Sequence, residues 1–190
     1  MSQIKFLFHQ KIVLLLNLLC LTTLVSGCGF HLQGETKLAP PLHRLYLQTN
    51  DPYGTLARSL QQYLKLSNVQ LVSSPTQAST ILVILSDNTS EELLSVSGTQ
   101  QTRQYNLKVT VVFDITDPKG RSLIGPQTLS ETRTTTVQAN QILGSSNEAN
   151  LFYQQMRRSI SYALINRIAS NEVTTAIMNS LHPPLSQKTL

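Results

Sequence analysis

Cys28 is the residue whose chemistry the surrounding sequence defines most closely. It stands in the stretch LVSGCGF, residues 24–30, where small residues precede it and Gly29 follows it. A cysteine thiolate is a strong nucleophile, so this position favours covalent modification of the sulfur. The nature of that modification depends on the segment in front of it.

The segment 1–27 has the build of a secretory signal. Lys5 and Lys11 precede an apolar run that contains no Asp or Glu and ends in small residues. The run is interrupted by Asn17 and is shorter than the roughly 20 apolar residues that span a bilayer. Its end matches the bacterial lipobox, in which the cysteine receives a diacylglycerol and becomes the first residue after cleavage. We therefore predict a cleaved lipoprotein signal peptide and lipidation of Cys28.

Two other interpretations of this segment stay open, an ordinary signal peptide with an incidental cysteine and an uncleaved short anchor. Under the lipobox interpretation, Gly29 stands where an inner-membrane retention signal usually has Asp, which implies sorting to the outer membrane. Acyl chains then anchor the protein without any spanning helix. The second cysteine, Cys20, lies in the part that is removed, so the mature chain cannot form an internal disulfide.

The remaining chain is one domain's worth of sequence. Without Lys5 and Lys11 it keeps 13 basic and 10 acidic residues, so its net charge is +3 instead of +5. This mildly basic balance fits an anionic lipid head group and is far from that of a nucleic-acid-binding protein. We expect a lipidated N-terminus and linker at 28–41, a single domain at 42–181 and a flexible tail at 182–190.

The sequence contains no convincing catalytic or metal-binding constellation. The adjacent acids Glu91 and Glu92 are interpreted as a solvated loop pair, and there is no phosphate-binding loop, dinucleotide fingerprint or nucleophile elbow. His9 is lost with the signal, and the other three histidines lie outside the patterned core: His31, His43 and His182. We therefore predict a protein that is not an enzyme and uses no cofactor or metal.

The first half of the domain alternates strands with one helix. Leu42–Thr49 has strand alternation, and Asp51 and Pro52 are suited to begin a helix. That helix is expected to end at Ser67–Asn68, and a short extended piece follows. The continuous apolar run 81–85 predicts a central strand. The apolar stripe of the helix is Leu56, Leu60, Tyr63 and Leu64.

The second half contains a long hairpin. Odd-numbered residues from Tyr105 to Ile115 are apolar and even-numbered ones mostly polar, which indicates an antiparallel strand with one buried face. Asp117–Gly120 favours a type I turn. The Thr-rich stretch 130–137 then predicts a hydroxylated sheet face that meets a polar partner, or a plain solvent-facing edge.

A second helix is expected after a Gly/Ser/Asn loop, capped by Asn147 or Ser146. The fold class is thus α+β, with two helices on one face of a mostly antiparallel sheet of four, possibly five, strands. The inward stripe of the second helix is predicted to be Phe152, Met156, Ile160, Ala163, Leu164 and Ile168.

Several stretches together resemble the lipopolysaccharide-assembly lipoprotein family LptE. They are the start CGFHL at 28–32, the block DPYG at 51–54 with the helix that continues to VQLV, and Gln104–Tyr105 at the start of the long strand. The resemblance implies an outer-membrane lipoprotein that sits as a plug in the β-barrel of LptD, supports its assembly and helps lipopolysaccharide reach the outer leaflet.

The resemblance also suggests contacts with lipopolysaccharide phosphates, which Arg and Lys can neutralise. The family's basic positions would fall near Gly98 and Ser145, and neither is basic here. The candidates of this chain lie on or beside the long hairpin: Arg103, Lys108, Lys119, Arg121 and Arg133. The alternative to a barrel plug is a free-standing lipoprotein on the periplasmic side that binds a small or polymeric ligand. A third possibility, a lipid-modifying hydrolase, would require an acid or nucleophile needed for turnover.

Overall fold

The computed structural model describes residues 11, 13–17, 38–99, 101–138 and 142–181, with side chains of the last range from residue 147. The chain forms two units, Met1–Glu35 and Thr36–Leu190. In the first, Lys11 and 13–17 are helical and exposed. No helix among the described residues is long and apolar enough to cross a bilayer. The predictions for Cys28 and for the tail 182–190 fall outside the described residues.

The second unit contains a five-stranded mixed sheet in the order β2-β1-β3-β4-β5. β1 runs parallel to both of its neighbours, whereas the β3–β4 and β4–β5 pairs are antiparallel. The α+β class and the five-stranded alternative are confirmed, and β3 is central as predicted. The strands are β1 Arg44–Gln48, β2 Gln70–Leu71, β3 Thr80–Val96, β4 Thr102–Thr116 and β5 Gln127–Gln138.

β3 is much longer than the apolar run that predicted it. It continues to Val96, with irregularities between Ile84 and Ser86 and between Leu93 and Ser95. The interpretation of Glu91 and Glu92 as a loop pair is therefore wrong, because they pair with β4 in the middle of this strand. The polar sequence SDNTSEE has no strand signal of its own. The ladder to β4 holds it extended.

The first helix, α1, spans Thr55–Leu66 and packs beside β2 and against the later long helix. Its N-cap is Gly54, so the prediction that Asp51 caps it and that Pro52 lies in its first turn is wrong. Asp51 instead forms a turn in which its carbonyl accepts the Gly54 N–H at 3.4 Å. A Cβ on Gly54 would stand 2.2 Å from the Asp51 carboxylate, so a side chain at this position would require that carboxylate to move. The helix ends at Ser67–Asn68 as predicted, with Asn68 at φ 59°.

The C-terminal part forms two helices where one was predicted. α2 spans Ile142–Ile168 and begins before the predicted caps Ser146 and Asn147, and α3 spans Asn171–Leu181. Ser170 separates them, because its hydroxyl accepts the Val173 N–H at 3.3 Å and starts the new helix.

The core lies between the sheet and α1 and α2. The alternation predicted for β4 is confirmed, since Leu107, Val109, Val111, Phe113 and Ile115 are at most 1% exposed. Most of the predicted α2 stripe also joins this core. Its exception is Ala163, which is exposed, while Ser161 and Ile165 are buried in the neighbouring register positions. Leu38 and Ala39 are buried too, so the packed domain includes the end of the segment expected to be linker.

Candidate functional site

Polar contacts between β5 and α2 define which side of the sheet the helices cover. The Ser159 hydroxyl donates to the Glu131 carboxylate at 2.9 Å, and Arg167 Nη2 donates to Gln127 Oε1 at 3.0 Å. These β5 residues are separated by an even number of positions, and side chains of a strand alternate between its two faces. The odd-numbered residues of β5 therefore face α2, and the even-numbered ones face away.

The side of the long strands that faces away from α2 is almost entirely polar. Residues directly opposite each other in an antiparallel pair share a face, so the strand registers define this surface across all three strands. We call it the outer sheet face. Its members are Ser86, Asn88, Ser90, Glu92 and Ser95 of β3, Thr102, Gln104, Asn106, Lys108, Thr110 and Val112 of β4, and Thr128, Ser130, Thr132, Thr134, Thr136 and Gln138 of β5.

The outer sheet face is close to electrically neutral. It carries one cation, Lys108, and one anion, Glu92, within a field of hydroxyl and amide groups. All six of its β5 residues are exposed. Such a surface both donates and accepts hydrogen bonds, and it offers little apolar area to a hydrophobic partner. The outer sheet face is therefore suited to bind a polar partner through hydrogen bonds.

A cleft of about 770 Å³ lies where β1 ends beside β3. Its wall includes the start of α1, the first residues beyond the β1–β3 pairing and the α2 residues Tyr153 and Arg157. Arg157 Nε donates to both carboxylate oxygens of Asp87, at 2.7 and 3.0 Å. Burial raises the pKa of Tyr153, and the negative charge of Glu91 raises it further. The cleft thus contains a neutral phenol next to an internally paired Arg and Asp.

The five predicted basic residues do not form one patch. Arg103 lies near the start of β4, whereas Lys119 and Arg121 follow its other end, roughly 40 Å away at about 3.4 Å per strand residue. Lys108 lies on the outer sheet face, and Arg133 faces α2. A single phosphate-bearing head group cannot reach all of them.

Two of these residues hold the fold together locally. The Arg133 guanidinium lies 4.3 Å above the centre of the Phe152 ring and donates a hydrogen bond to Gln155. Arg121 Nε donates to Asp117 Oδ2 at 3.2 Å. The main-chain N–H of Arg121, helped by that of Lys119 and the Arg121 side chain, holds the pKa of Asp117 below its ordinary value. The guanidinium groups of Arg133 and Arg121 are therefore already engaged within the protein.

A family model described as lipopolysaccharide-assembly, LptE, matches residues 42–168. That match covers most of the domain just described. The chain belongs to the LptE family. The family consists of lipopolysaccharide-assembly lipoproteins and not of enzymes, which agrees with the prediction that this chain is not an enzyme.

Individual similar proteins each cover more than two thirds of this chain. The LPS-assembly lipoprotein LptE of Yersinia enterocolitica is 32% identical over 161 residues, which is 84% of this chain and 76% of the relative. Rare lipoprotein B of Shewanella oneidensis, a crystal structure, is 25% identical with a TM-score of 0.59 over 69% of this chain and 97% of that one. A lipoprotein B of Nitrosomonas europaea, solved by NMR, has a TM-score of 0.61 at 20% identity over 81% and 97% of the two chains. The last of these supports the fold alone.

The β3 part of the outer sheet face was missed in the sequence of this LptE-family chain. The hydroxylated face of β5 was one of two interpretations of its threonines. Ser86, Asn88, Ser90 and Glu92 were not assigned to a strand, because polar residues occupy both parities of this stretch. A usable signal lay in the length of β4, since its apolar alternation runs from Tyr105 to Ile115 and a strand of that length needs a neighbour of similar length.

Proposed function

We propose that this LptE-family chain is an outer-membrane lipoprotein that works in lipopolysaccharide assembly with its outer sheet face against the inner wall of the LptD β-barrel. The observation that carries the proposal is the polarity of that face. Large outer-membrane barrels have polar interiors that can be filled by a plug. A neutral field of hydroxyls and amides can exchange hydrogen bonds with such a wall, whatever the local direction of each partner group.

The dimensions of the long strands suit this placement. β5 has 12 residues, and at about 3.4 Å per residue it is roughly 40 Å long. The apolar band of an outer-membrane barrel is about 25 Å tall. A plug lying along the barrel axis would therefore contact the wall over the full height of the membrane.

The proposal includes a lipid anchor on Cys28 after removal of residues 1–27. Each buried methylene of an acyl chain contributes about 0.8 kcal/mol, so several chains on one residue retain a protein firmly at a bilayer. The anchor would keep the domain at the periplasmic side of the outer membrane until it meets the barrel.

Contacts with lipopolysaccharide phosphates remain a proposal for the cations that the fold leaves available. Among the described residues, the side chains of Arg103, Lys108 and Lys119 have no ion-pair partner. They lie near the start of β4, on the outer sheet face and beyond the end of β4. We expect neutralising either Arg103 or Lys119 to weaken lipopolysaccharide binding. The loss from one should not change the contribution of the other, because the two residues are separated by the length of a strand.

The barrel proposal is tested by co-purification with LptD after mild detergent extraction. Thr128→Glu combined with Thr136→Glu places two carboxylates on the outer sheet face opposite Val112 and Gln104, away from Lys108. Uncompensated charge in an interface costs several kcal/mol, so we expect recovery of the complex to fall on the order of a hundredfold. The control is the pair Thr128→Ser and Thr136→Ser, which keeps the hydroxyls and should keep the complex. Equal recovery of both double variants would exclude this face as the contact surface.

The alternative of a free-standing ligand-binding lipoprotein is favoured by the cleft beside β3. Its volume of about 770 Å³ is within the range of small-molecule sites. The same extraction separates the two proposals. A barrel protein recovered in near-equal amount supports the plug, and an isolated monomer supports the ligand-binding protein.

A further inference from the structure

One edge of β3 has no neighbouring strand over most of its length among the strands that the structure describes. The pairing with β1 stops at Gln48 opposite Val83, and β3 continues to Val96. Beyond Val83, no other described strand pairs with this side of β3. A strand edge of this kind presents N–H and C=O groups that are available to an added strand. Between the two irregularities, the segment from Ser86 to Leu93 keeps a regular register with β4, so its free edge is regular as well.

This edge is open from the side and from both faces. Every residue from Asp87 to Val96 is exposed. α2 lies across β4 and β5, so it leaves the outer part of β3 uncovered. The edge also presents large apolar side chains, since Leu93, Leu94 and Val96 are 51%, 48% and 46% exposed. Natural edge strands are usually kept short or protected by charges, Pro or bulges. Here the irregularities lie at the two ends of the segment, it contains no Lys or Pro, and eight residues between the irregularities stay regular.

The charge of the edge is purely acidic. No Lys or Arg occurs between Lys65 and Arg103, whereas this part of β3 contains Asp87, Glu91 and Glu92. Asp87 is neutralised by Arg157 at 2.7 Å. Within the described part of the chain, neither glutamate forms an ion pair. As successive strand residues, Glu91 points to the α2 side and Glu92 to the outer sheet face.

These charges argue against self-association through the edge. Parallel pairing of two Ser86–Leu93 segments would set each glutamate opposite its copy, and antiparallel pairing would set Glu92 of each copy opposite Asp87 of the other. Like charges facing each other across strands are destabilising. A segment with basic side chains on both of its faces would instead satisfy both glutamates.

We infer that the free edge of β3 between Ser86 and Leu93 binds an extended protein segment by strand addition, and that this segment has two adjacent Lys or Arg residues opposite Glu91 and Glu92. Main-chain hydrogen bonds would supply most of the affinity, and the side-chain positions would supply the specificity. The cleft at the end of β1 would receive the part of the segment that passes beyond Ser86. This inference does not depend on the identity of the barrel partner.

The probe is a short peptide of alternating threonine and valine with two adjacent lysines at its centre. It is added to the full chain in mild detergent, and binding is measured by fluorescence anisotropy together with amide hydrogen exchange. We expect slower exchange in Ser86–Leu93. Glu91→Lys with Glu92→Lys should weaken this peptide about tenfold or more, and should favour a peptide with two glutamates in place of the lysines.

Two controls separate strand addition from plain charge attraction. Glu148→Lys changes an exposed glutamate on α2 and should leave the affinity nearly unchanged. Methylating alternate peptide nitrogens removes main-chain donors and should abolish binding without changing charge. The inference is overturned by equal binding of the methylated peptide, by protection of the β5 edge in place of β3, or by an unchanged affinity of the double Glu→Lys variant.

Discussion

Arg133 allows a direct test of whether a basic residue on the hairpin serves binding or folding. It faces α2, with its guanidinium 4.3 Å above the Phe152 ring and hydrogen-bonded to Gln155. We therefore expect Arg133→Ala to loosen the contact between β5 and α2. Lys108→Ala, which changes a cation on the outer sheet face of the same hairpin, should leave stability nearly unchanged.

The size of the effect follows from the two contacts. A cation–π contact at an exposed site is worth about 0.5–1 kcal/mol, and a hydrogen bond contributes about 0.5–1.5 kcal/mol. Arg133→Ala should therefore lower the free energy of unfolding by about 1–2.5 kcal/mol. For a domain of this size each kcal/mol shifts the melting temperature by about 2–4 °C, so we expect a decrease of about 2–10 °C.

The assay is urea unfolding followed by circular dichroism, extended to a double-mutant cycle with Phe152→Leu. The cycle isolates the Arg133–Phe152 contact, and we expect a coupling of about 0.5–1 kcal/mol. A coupling indistinguishable from zero, together with Arg133→Ala as stable as Lys108→Ala, would refute the structural role of Arg133. Arg133 would then again be a candidate for binding a lipopolysaccharide phosphate.

Three further predictions concern the turn, the core and the anchor. The pKa of Asp117 is lowered in the folded state, so its contribution to stability is present at neutral pH and is lost as the pH falls below about 3.8 through the folded value. Asp117→Asn should flatten this acid dependence in urea titrations at several pH values, and an unchanged slope would contradict the assignment. Leu164→Ala empties a position that is 0% exposed and should cost about 2–5 kcal/mol in the same assay, whereas a cost below about 1 kcal/mol would contradict its place in the core. Cys28→Ala should release a folded domain from the outer-membrane fraction, and its retention there in cells without LptD would argue against a lipid anchor.

The two glutamates of β3 show where sequence reasoning stopped. In SDNTSEE neither parity is apolar, so periodicity gives no reason to extend the strand past Leu85. This stretch is a strand because it forms a continuous row of main-chain hydrogen bonds with β4. The residues of β4 that pair with it lie some 20 positions further along the chain. The free edge and the β3 part of the outer sheet face could not be predicted from the sequence for this reason.

The basic residues illustrate a different limit. Their positions on or beside the hairpin could be read from the sequence, but whether each guanidinium was free could not. Arg133 is occupied because Phe152 of α2 comes within reach in three dimensions, whereas Arg121 pairs with Asp117 four residues earlier in the same turn. The spacing of residues along a strand does not show which side chains of another element pack against it.

The amino-acid sequence by itself determined the alternating buried face of β4, the apolar stripe of α1 and the signal-like start before Cys28, because each depends on a local pattern of side chains. Tertiary structure alone decided the length of β3 and the engagement of Arg133 by Phe152 and Gln155. These features depend on contacts between residues far apart in the chain, and such contacts leave no periodic pattern in the sequence of either partner.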